Sequence, residues 1–306
     1  MKYVVVLGDG MADRPIAELG DQTPLAYAET PTMDQLAAVS EIGMVHTIPD
    51  GMKPGSDTAN LSVLGYNPRI YYSGRSPLEA LSIGVDMKDT DIALRCNLVT
   101  LSEEEENYED RTIIDHSSGE ISTADAAVLL DAVREGLENE TYKFYVGTSY
   151  RHLLIWDRGE VVELTQPHDV LGQTIGQYLP EDAVLREMMK KSYDILVNHP
   201  INVERKKKGL NPANSCWFWG AGTKPALSSF EEKTHLKGAM ISAVDLLKGI
   251  AVGASMKVIE VEGANGGLNT NYEGKAQAAI DVLTKEGYDF AYIHVEAPDE
   301  MGHQGS

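Results

Sequence analysis

The chain has 306 residues, 42% of them hydrophobic, enough for one large domain or two ordinary ones. Its formal net charge is −21, and its one basic cluster, Arg205-Lys206-Lys207-Lys208, is short and lacks interleaved aromatics, which argues against nucleic acid or an anionic membrane surface as partner. No apolar run approaches the roughly 20 residues needed to cross a bilayer, and Cys96 and Cys216 give neither a disulfide framework nor a metal-ligand pairing, so a reduced, cytoplasmic setting is expected.

Tyr3 to Leu7 is an apolar run too short for the core of a secretion signal, and it reads as a buried strand ending in Gly-Asp-Gly. Thr32 to Val39 reads as a helix and Ile42 to Thr47 as an extended segment. Next comes PGSDTANLSVLGY, residues 54–66, in which Pro54 and Gly55 form a loop and Leu61 and Leu64 have the one-turn spacing of a helix face. Ser56 or Asp57 is then a plausible N-cap. The same geometry has a second reading, because a helix N-terminus favours a phosphate and stabilises a serine alkoxide.

From about Tyr71 to Asn198 the pattern changes to short alternating strands: Ala93 to Leu101, Tyr145 to Gly147, Leu153 to Asp157 and Val161 to Leu164. One strong helix, Ser122 to Glu138, lies among them, and Glu103 to Glu106 with Glu109-Asp110 reads as a solvated loop. In the last third, Met240 to Gly253 reads as a helix, Met256 to Val261 as a strand, Tyr272 to Glu286 as a helix ended by Gly287, and Asp289 to Val295 as a strand. The expected class is therefore α/β with a mostly parallel sheet (residues 1–70 and 200–306), interrupted by an inserted α+β domain (71–199). The glycine-rich stretches GAGTKP (220–225) and GANGGLN (263–269) match neither the P-loop nor the dinucleotide fingerprint and read as turns.

Three places carry chemistry. Asp9 falls at the carboxyl end of the first strand, where ligands gather in open α/β sheets, although Asp-Gly there is also an ordinary turn. Ser56 is the second. The third is HVEAPDEMGHQG, where Asp299 and His303 stand four apart directly after an apolar strand and share a face of any helical turn. Carboxylate with imidazole suits zinc, manganese or iron better than calcium. Together these residues put two carboxylates, an imidazole and a serine at one sheet edge, the ingredients of two-metal phosphoryl transfer.

The stretches PGSDTANLSVLGY, YYSGRSPLEAL, ALRCNLVTL, YRHLLIW, PANSCWFWG, ISAVDLLKGIA, TNYEGKAQAAI and HVEAPDEMGHQG closely resemble the cofactor-independent phosphoglycerate mutases, most of all their archaeal-type branch, within the alkaline phosphatase superfamily. The likeness runs from Asp9 to Gly305. It implies an alkaline-phosphatase-like core, interconversion of 2-phosphoglycerate and 3-phosphoglycerate through a phosphoserine, two divalent metal ions (Mn, Zn, Mg or Co) and no 2,3-bisphosphoglycerate.

Carried over by motif, Ser56 matches the nucleophile, Asp9 a ligand of the metal that also binds that serine, and Asp299 and His303 ligands of the other metal. Lys233 in FEEKTH matches a lysine near the transferred phosphate. In the insertion, Arg75, Arg95, Asp115, His116, Arg151 and His152 are the candidates for the substrate's carboxylate and phosphate. Arginine grips such anions bidentately, and Arg151 is counted with Ser56 and Lys233 among the catalytic groups. For each arginine alone, a surface salt bridge is the other reading.

The family continues beyond the point matching Ser306, with further ligands that complete both metals, so the chain is expected to be truncated, to bind metal weakly and to lack mutase activity. The small-molecule phosphoglycerate is the expected partner, and the oligomeric state stays open. Two other readings remain: another phosphomonoesterase or phosphomutase of the superfamily, or an inactive metal- or sugar-phosphate-binding fragment.

Overall fold

A computed structural model describes residues 1–305. In chain order β1 (Tyr3–Gly8) leads to α1 (Pro24–Tyr27) and α2 (Pro31–Ala37), each opened by a proline in its first turn, where a backbone N–H is dispensable. There follow α3 (Ser56–Val63), α4 (Pro68–Tyr71), α5 (Arg75–Ser82), β2 (Asp91–Leu101), β3 (Ile113–Asp115), α6 (Thr123–Leu137), β4 (Tyr142–Thr148) and β5 (Arg151–Asp157). The remainder is α7 (Ala183–Leu196), α8 (Pro200–Lys207), β6 (Ser215–Thr223), α9 (Phe230–Thr234), β7 (Gly238–Ile241), α10 (Asp245–Gly253), β8 (Lys257–Val258), α11 (Tyr272–Thr284), β9 (Phe290–Val295) and α12 (Ala297–His303). The elements group into two units: unit 1 holds Met1–Tyr72 and everything from Leu227 onward, and unit 2 holds Ser73–Ala226.

Unit 1 is built on a four-stranded sheet of order β1-β9-β7-β8 in which every pairing is parallel. Strand alternation sorts β9 into two faces. Ala291 and Ile293 bury against Ala279, Val282 and Leu283 of α11. Tyr292 takes the other face, and its hydroxyl donates to Asn60 Oδ1 of α3 at 2.5 Å. The carboxyl ends of β1, β7 and β9 lie along one edge, the place where open α/β sheets bind ligands.

Unit 2 is antiparallel. The eleven-residue β2 is its spine, with β5 on one side, β6 on the other, β4 beyond β5, and β3 pairing with the far end of β2. One face, carrying Cys96, Leu98, Leu154, Cys216 and Phe218, packs on Leu129, Leu130 and Val133 of α6 and Leu185 and Met189 of α7. The other face places Ala93, Leu153 and Ile155 against Ala80 of α5. Helix α6 starts where its sequence says, with Ser122 Oγ accepting from the Asp125 N–H at 3.1 Å.

Several local expectations are corrected. Residues 42–47 form no strand, and Ile42, Met44 and Val45 are exposed, because no neighbouring strand supplies hydrogen bonds. Val161 to Leu164 likewise pairs with nothing. The run expected as one helix from Met240 splits into buried strand β7 and helix α10, since a short apolar run fits either. Strand β8 keeps only Lys257 and Val258 of the six residues from Met256 to Val261. The insertion extends past 199 to Ala226, because β6 lies antiparallel beside β2 and so belongs to the inserted sheet.

Candidate functional site

In unit 1 the carboxyl edge of the sheet collects acids and imidazoles. The Asp9 N–H donates to Val295 O at 2.9 Å, extending the β1–β9 ladder by one residue. The Asp9 carboxylate then meets His294 Nε2 at 3.2 Å, while His294 Nδ1 lies 3.3 Å from Ser242 Oγ at the end of β7. His294 is buried, and the Lys275 ammonium of α11, also buried, donates to its carbonyl at 3.0 Å. Burial pulls Lys275 below its ordinary value, with Glu296 opposing.

Helix α12 brings the second pair, with Asp299 Oδ2 3.4 Å from His303 Nε2 one turn on. Gly10 makes this approach possible: it sits at φ +67°, and a Cβ there would lie 2.5 Å from Asp299 Cα. The acids crowd one another. Burial raises the Glu296 carboxyl, His294 opposes, and Glu300, Asp9 and Asp299 push it further up.

Ser56 opens α3 one residue after the N-cap Gly55, and no side chain caps this helix. The expected cap at Ser56 or Asp57 is therefore replaced by a glycine. The Ser56 hydroxyl is exposed and unspent on capping. Behind it, Asn60 Nδ2 donates to Ser56 O at 2.8 Å and the same amide accepts from Tyr292, so the start of α3 is fastened to β9. Burial raises the Tyr292 phenol, and Asp9 adds to the shift.

Lys233 lies on α9. Its Nζ stands 5.3 Å from the centre of the Tyr66 ring, beside Gly65, beyond the carboxyl end of α3. That end lies about 12 Å along the helix from Ser56, so the lysine does not share the serine's surroundings. The sequence reading had passed over His294, Tyr292, Asn60 and Glu296. Three of these, His294, Glu296 and Asn60, stand inside quoted motifs, and their inward direction follows only from the fold around β9 and α3.

The donor set of carboxylates and imidazoles suits a divalent cation, and the mutual crowding of Asp9, Glu296, Asp299 and Glu300 is the electrostatic setting such an ion relieves. As placed, the groups form two carboxylate–imidazole pairs, and among the described residues no three His, Cys, Asp or Glu converge on one point.

Unit 2 gathers cations in an otherwise acidic chain. Glu79 Oε1 accepts from Arg75 Nε at 3.0 Å and from Arg95 Nη1 at 2.5 Å, one carboxylate for two guanidiniums. Helix α5 is held there by close packing on β6: a Cβ on Gly74 would come within 2.9 Å of Gly222 Cα, and Ser76 Oγ donates to Gly220 O at 2.6 Å. Arg95 is buried, lies 5.3 Å from the Trp219 ring centre, and keeps its Nε without a hydrogen-bond partner. Burial lowers Arg95 from its ordinary value, Glu79 opposes, and Arg75 and Arg151 push it down again. Arg151 rests 5.4 Å from the Tyr150 ring and has no carboxylate within 4.0 Å among the described residues.

Aromatic rings join these arginines. His116 makes edge contacts with Tyr150 at 5.7 Å and with His168 at 6.0 Å, and His168 meets Trp219 at 5.6 Å. Trp219 Nε1 donates to Asn97 Oδ1 at 3.1 Å, and Asn97 Nδ2 donates to the His116 carbonyl at 3.3 Å. The positions on β2 and β5 follow from register: Asn97 pairs with Arg151 and Arg95 with Leu153, all on the α5 face.

Two candidates leave this group. His152 pairs with Cys96, on the face covered by α6 and α7, because adjacent strand residues point to opposite faces. It is buried, its Nδ1 accepts from the Gly147 N–H at 3.1 Å, and burial, with Arg95 adding, lowers its pKa to about 3. Asp115 organises a turn instead, accepting from the Ser117 N–H and hydroxyl, the Gly119 N–H and the Asn211 amide. Burial alone would raise its carboxyl; those four donors outweigh it and hold the group below the ordinary carboxylate range.

Residues 37–202 match the family model described as 2,3-bisphosphoglycerate-independent phosphoglycerate mutase. An enzyme of that name from Methanosarcina barkeri is 52% identical over 311 residues, spanning all of this chain and 76% of the relative. One carrying the same description, marked probable, from Geobacter sulfurreducens is 48% identical with the same coverage. Among solved structures, a Pyrococcus horikoshii protein aligns over 99% of this chain and 72% of its own length at 32% identity and a TM-score of 0.78. A cofactor-independent phosphoglycerate mutase from Thermoplasma acidophilum aligns over 96% and 77% at 30% identity and a TM-score of 0.56.

Proposed function

The chain belongs to the 2,3-bisphosphoglycerate-independent phosphoglycerate mutases, and from that premise we propose that unit 2 grips the phosphoglycerate while Ser56 of unit 1 carries the phosphoryl group between its two hydroxyls. The enzyme is an isomerase, and its family name excludes 2,3-bisphosphoglycerate as a helper. The observation that carries the reading is the imbalance in unit 2. Arg75 and Arg151 lie close enough to Arg95 to push its pKa down, Glu79 serves both Arg75 and Arg95, and Arg151 has no carboxylate within 4.0 Å among the described residues, in a chain of net charge −21. Cations held so close together, with the Arg95 Nε unpartnered, require an anion.

Arg151 takes the lead among them because, among the described residues, no carboxylate lies within 4.0 Å of it. Guanidinium geometry matches both the carboxylate and the phosphate of the substrate. In unit 1 the unspent hydroxyl of Ser56 at the first turn of α3 is the nucleophile: its oxygen bonds to phosphorus as the bond to the glycerate oxygen breaks, and the glycerate returns through its other hydroxyl. The α3 N-terminus favours the serine oxyanion, and Asn60 fixes the turn that presents it. A divalent metal held by Asp9 and Ser56, and another by Asp299 and His303, would supply charge neutralisation for that oxygen and the phosphate. Family membership and the two free, buried cysteines support a cytoplasmic enzyme of glycolysis and gluconeogenesis.

Ser56→Ala tests the covalent route in an enolase-coupled assay, run on a version extended by the quarter of the relatives' length this chain does not span. The expected loss is on the order of 10³-fold or more, with the fold retained. Retention of a tenth of the activity would rule the phosphoserine out.

A further inference from the structure

We propose that His168 is a ligand-contacting residue of the unit 2 cradle, one that grips the phosphoryl group of the substrate as an imidazolium. The inference deepens the function proposed above and rests on it. His168 lies on a short turn, Pro167–Val170, whose two ends are buried while His168 and Asp169 stay exposed. The backbone is thus anchored and the imidazole is presented to solvent.

The imidazole is also built into the cationic group. It meets the Trp219 ring that carries Arg95 and the His116 ring that meets Tyr150, on which Arg151 rests. A continuous line therefore runs from Arg95 through Trp219, His168, His116 and Tyr150 to Arg151. Among the described residues no hydrogen bond orients the imidazole. Its nearest carboxylate, Asp169, stands 3.8 Å away, beyond hydrogen-bond reach. A planar group held by aromatic edges and left with unused nitrogens is suited to an incoming oxygen.

The charged groups around it fix how it responds. Burial lowers His168, Asp169 opposes, and His116, Arg75 and Arg95 push it down again, with Glu79 behind the two arginines. The free imidazole is therefore mostly neutral at pH 7. A phosphate monoester carries close to two negative charges there, which favours the protonated ring, so binding draws a proton from solvent.

The test is calorimetric titration of 3-phosphoglycerate into the chain at about pH 7, in one buffer of small and one of large ionisation enthalpy. The wild type should take up a substantial fraction of a proton per ligand, where D-glycerate, which lacks the phosphate, should take up none. In His168→Gln the uptake should vanish and affinity fall about tenfold, the effect of one charge-assisted hydrogen bond. Unchanged uptake and affinity in His168→Gln, with Arg151→Ala still weakened, would overturn the inference and leave the proposed function standing. Uptake that persists in His168→Gln but disappears in His116→Gln would give the proton to His116 and overturn it equally. Failure of the wild type to bind 3-phosphoglycerate would remove the proposed function and this inference with it.

Discussion

Arg151 and His152 are neighbours in the chain and opposites in role, because strand β5 turns one toward the cationic group and the other into the helix-covered core. The buried histidine has a measurable signature. Its folded pKa of about 3 lies below the ordinary value, so its stability contribution is complete above about pH 6.5 and is lost as pH falls toward the folded value. Unit 2 should lose about 2 kcal/mol between pH 7 and about pH 5 from this residue alone. Urea unfolding at the two pH values checks it. His152→Gln should flatten the dependence, and an unchanged slope would return the histidine to a solvated setting.

This pair also shows what the sequence reveals at single residues. The motif YRHLLIW marked both positions, but only the pairing of β5 with β2 tells which faces the cationic group. Asp115 was expected among the substrate candidates, and the four donors that make it a turn organiser come from the folded loop. Glu79 and His168 drew no notice, since a lone acid on a helix and a lone histidine beside a proline carry no local pattern. Lys233 matched by motif, and its contact with the Tyr66 ring comes from the folded position of α9.

Among elements, α3 and β9 depend on one contact. The Tyr292 hydroxyl fills the acceptor of Asn60, whose amide in turn holds the Ser56 carbonyl, all with Tyr292 and Asn60 buried. Tyr292→Phe removes the donor and strands a buried acceptor, which costs about 1–3 kcal/mol. Thermal melting should show that loss, and Tyr292→Phe should also loosen the α3 N-terminus, seen as faster amide exchange at Thr58 and Ala59. Unchanged exchange there would break the proposed link between sheet and serine. Elements with strong local signals, α6 with its Ser122 cap and α11 with its apolar stripe, were readable from sequence. Strand β7, four buried residues between a loop and a helix, was not, because its strand character comes from its neighbour β9. Residues 42–47 failed in the opposite direction: their apolar, extended pattern meets no partner strand among the described residues.

At the scale of the whole molecule, an acidic chain repels an anionic substrate, so the cationic group of unit 2 must act at short range against the general field. The α/β class with its mostly parallel sheet and the family were legible, because the motifs lie in long, regular segments. The boundary of the insertion was not, since β6 reads locally like any other buried strand and only its pairing assigns it to unit 2. The central claim is that unit 2 holds the phosphoglycerate through Arg151 and its neighbours. Calorimetric titration of 3-phosphoglycerate into the wild type and into Arg151→Ala, with melting temperatures measured alongside, tests it most directly. The account predicts saturable binding that weakens about 30-fold or more in Arg151→Ala, with the melting temperature unchanged. Equal affinity in the two proteins, or no binding by the folded wild type, would contradict it.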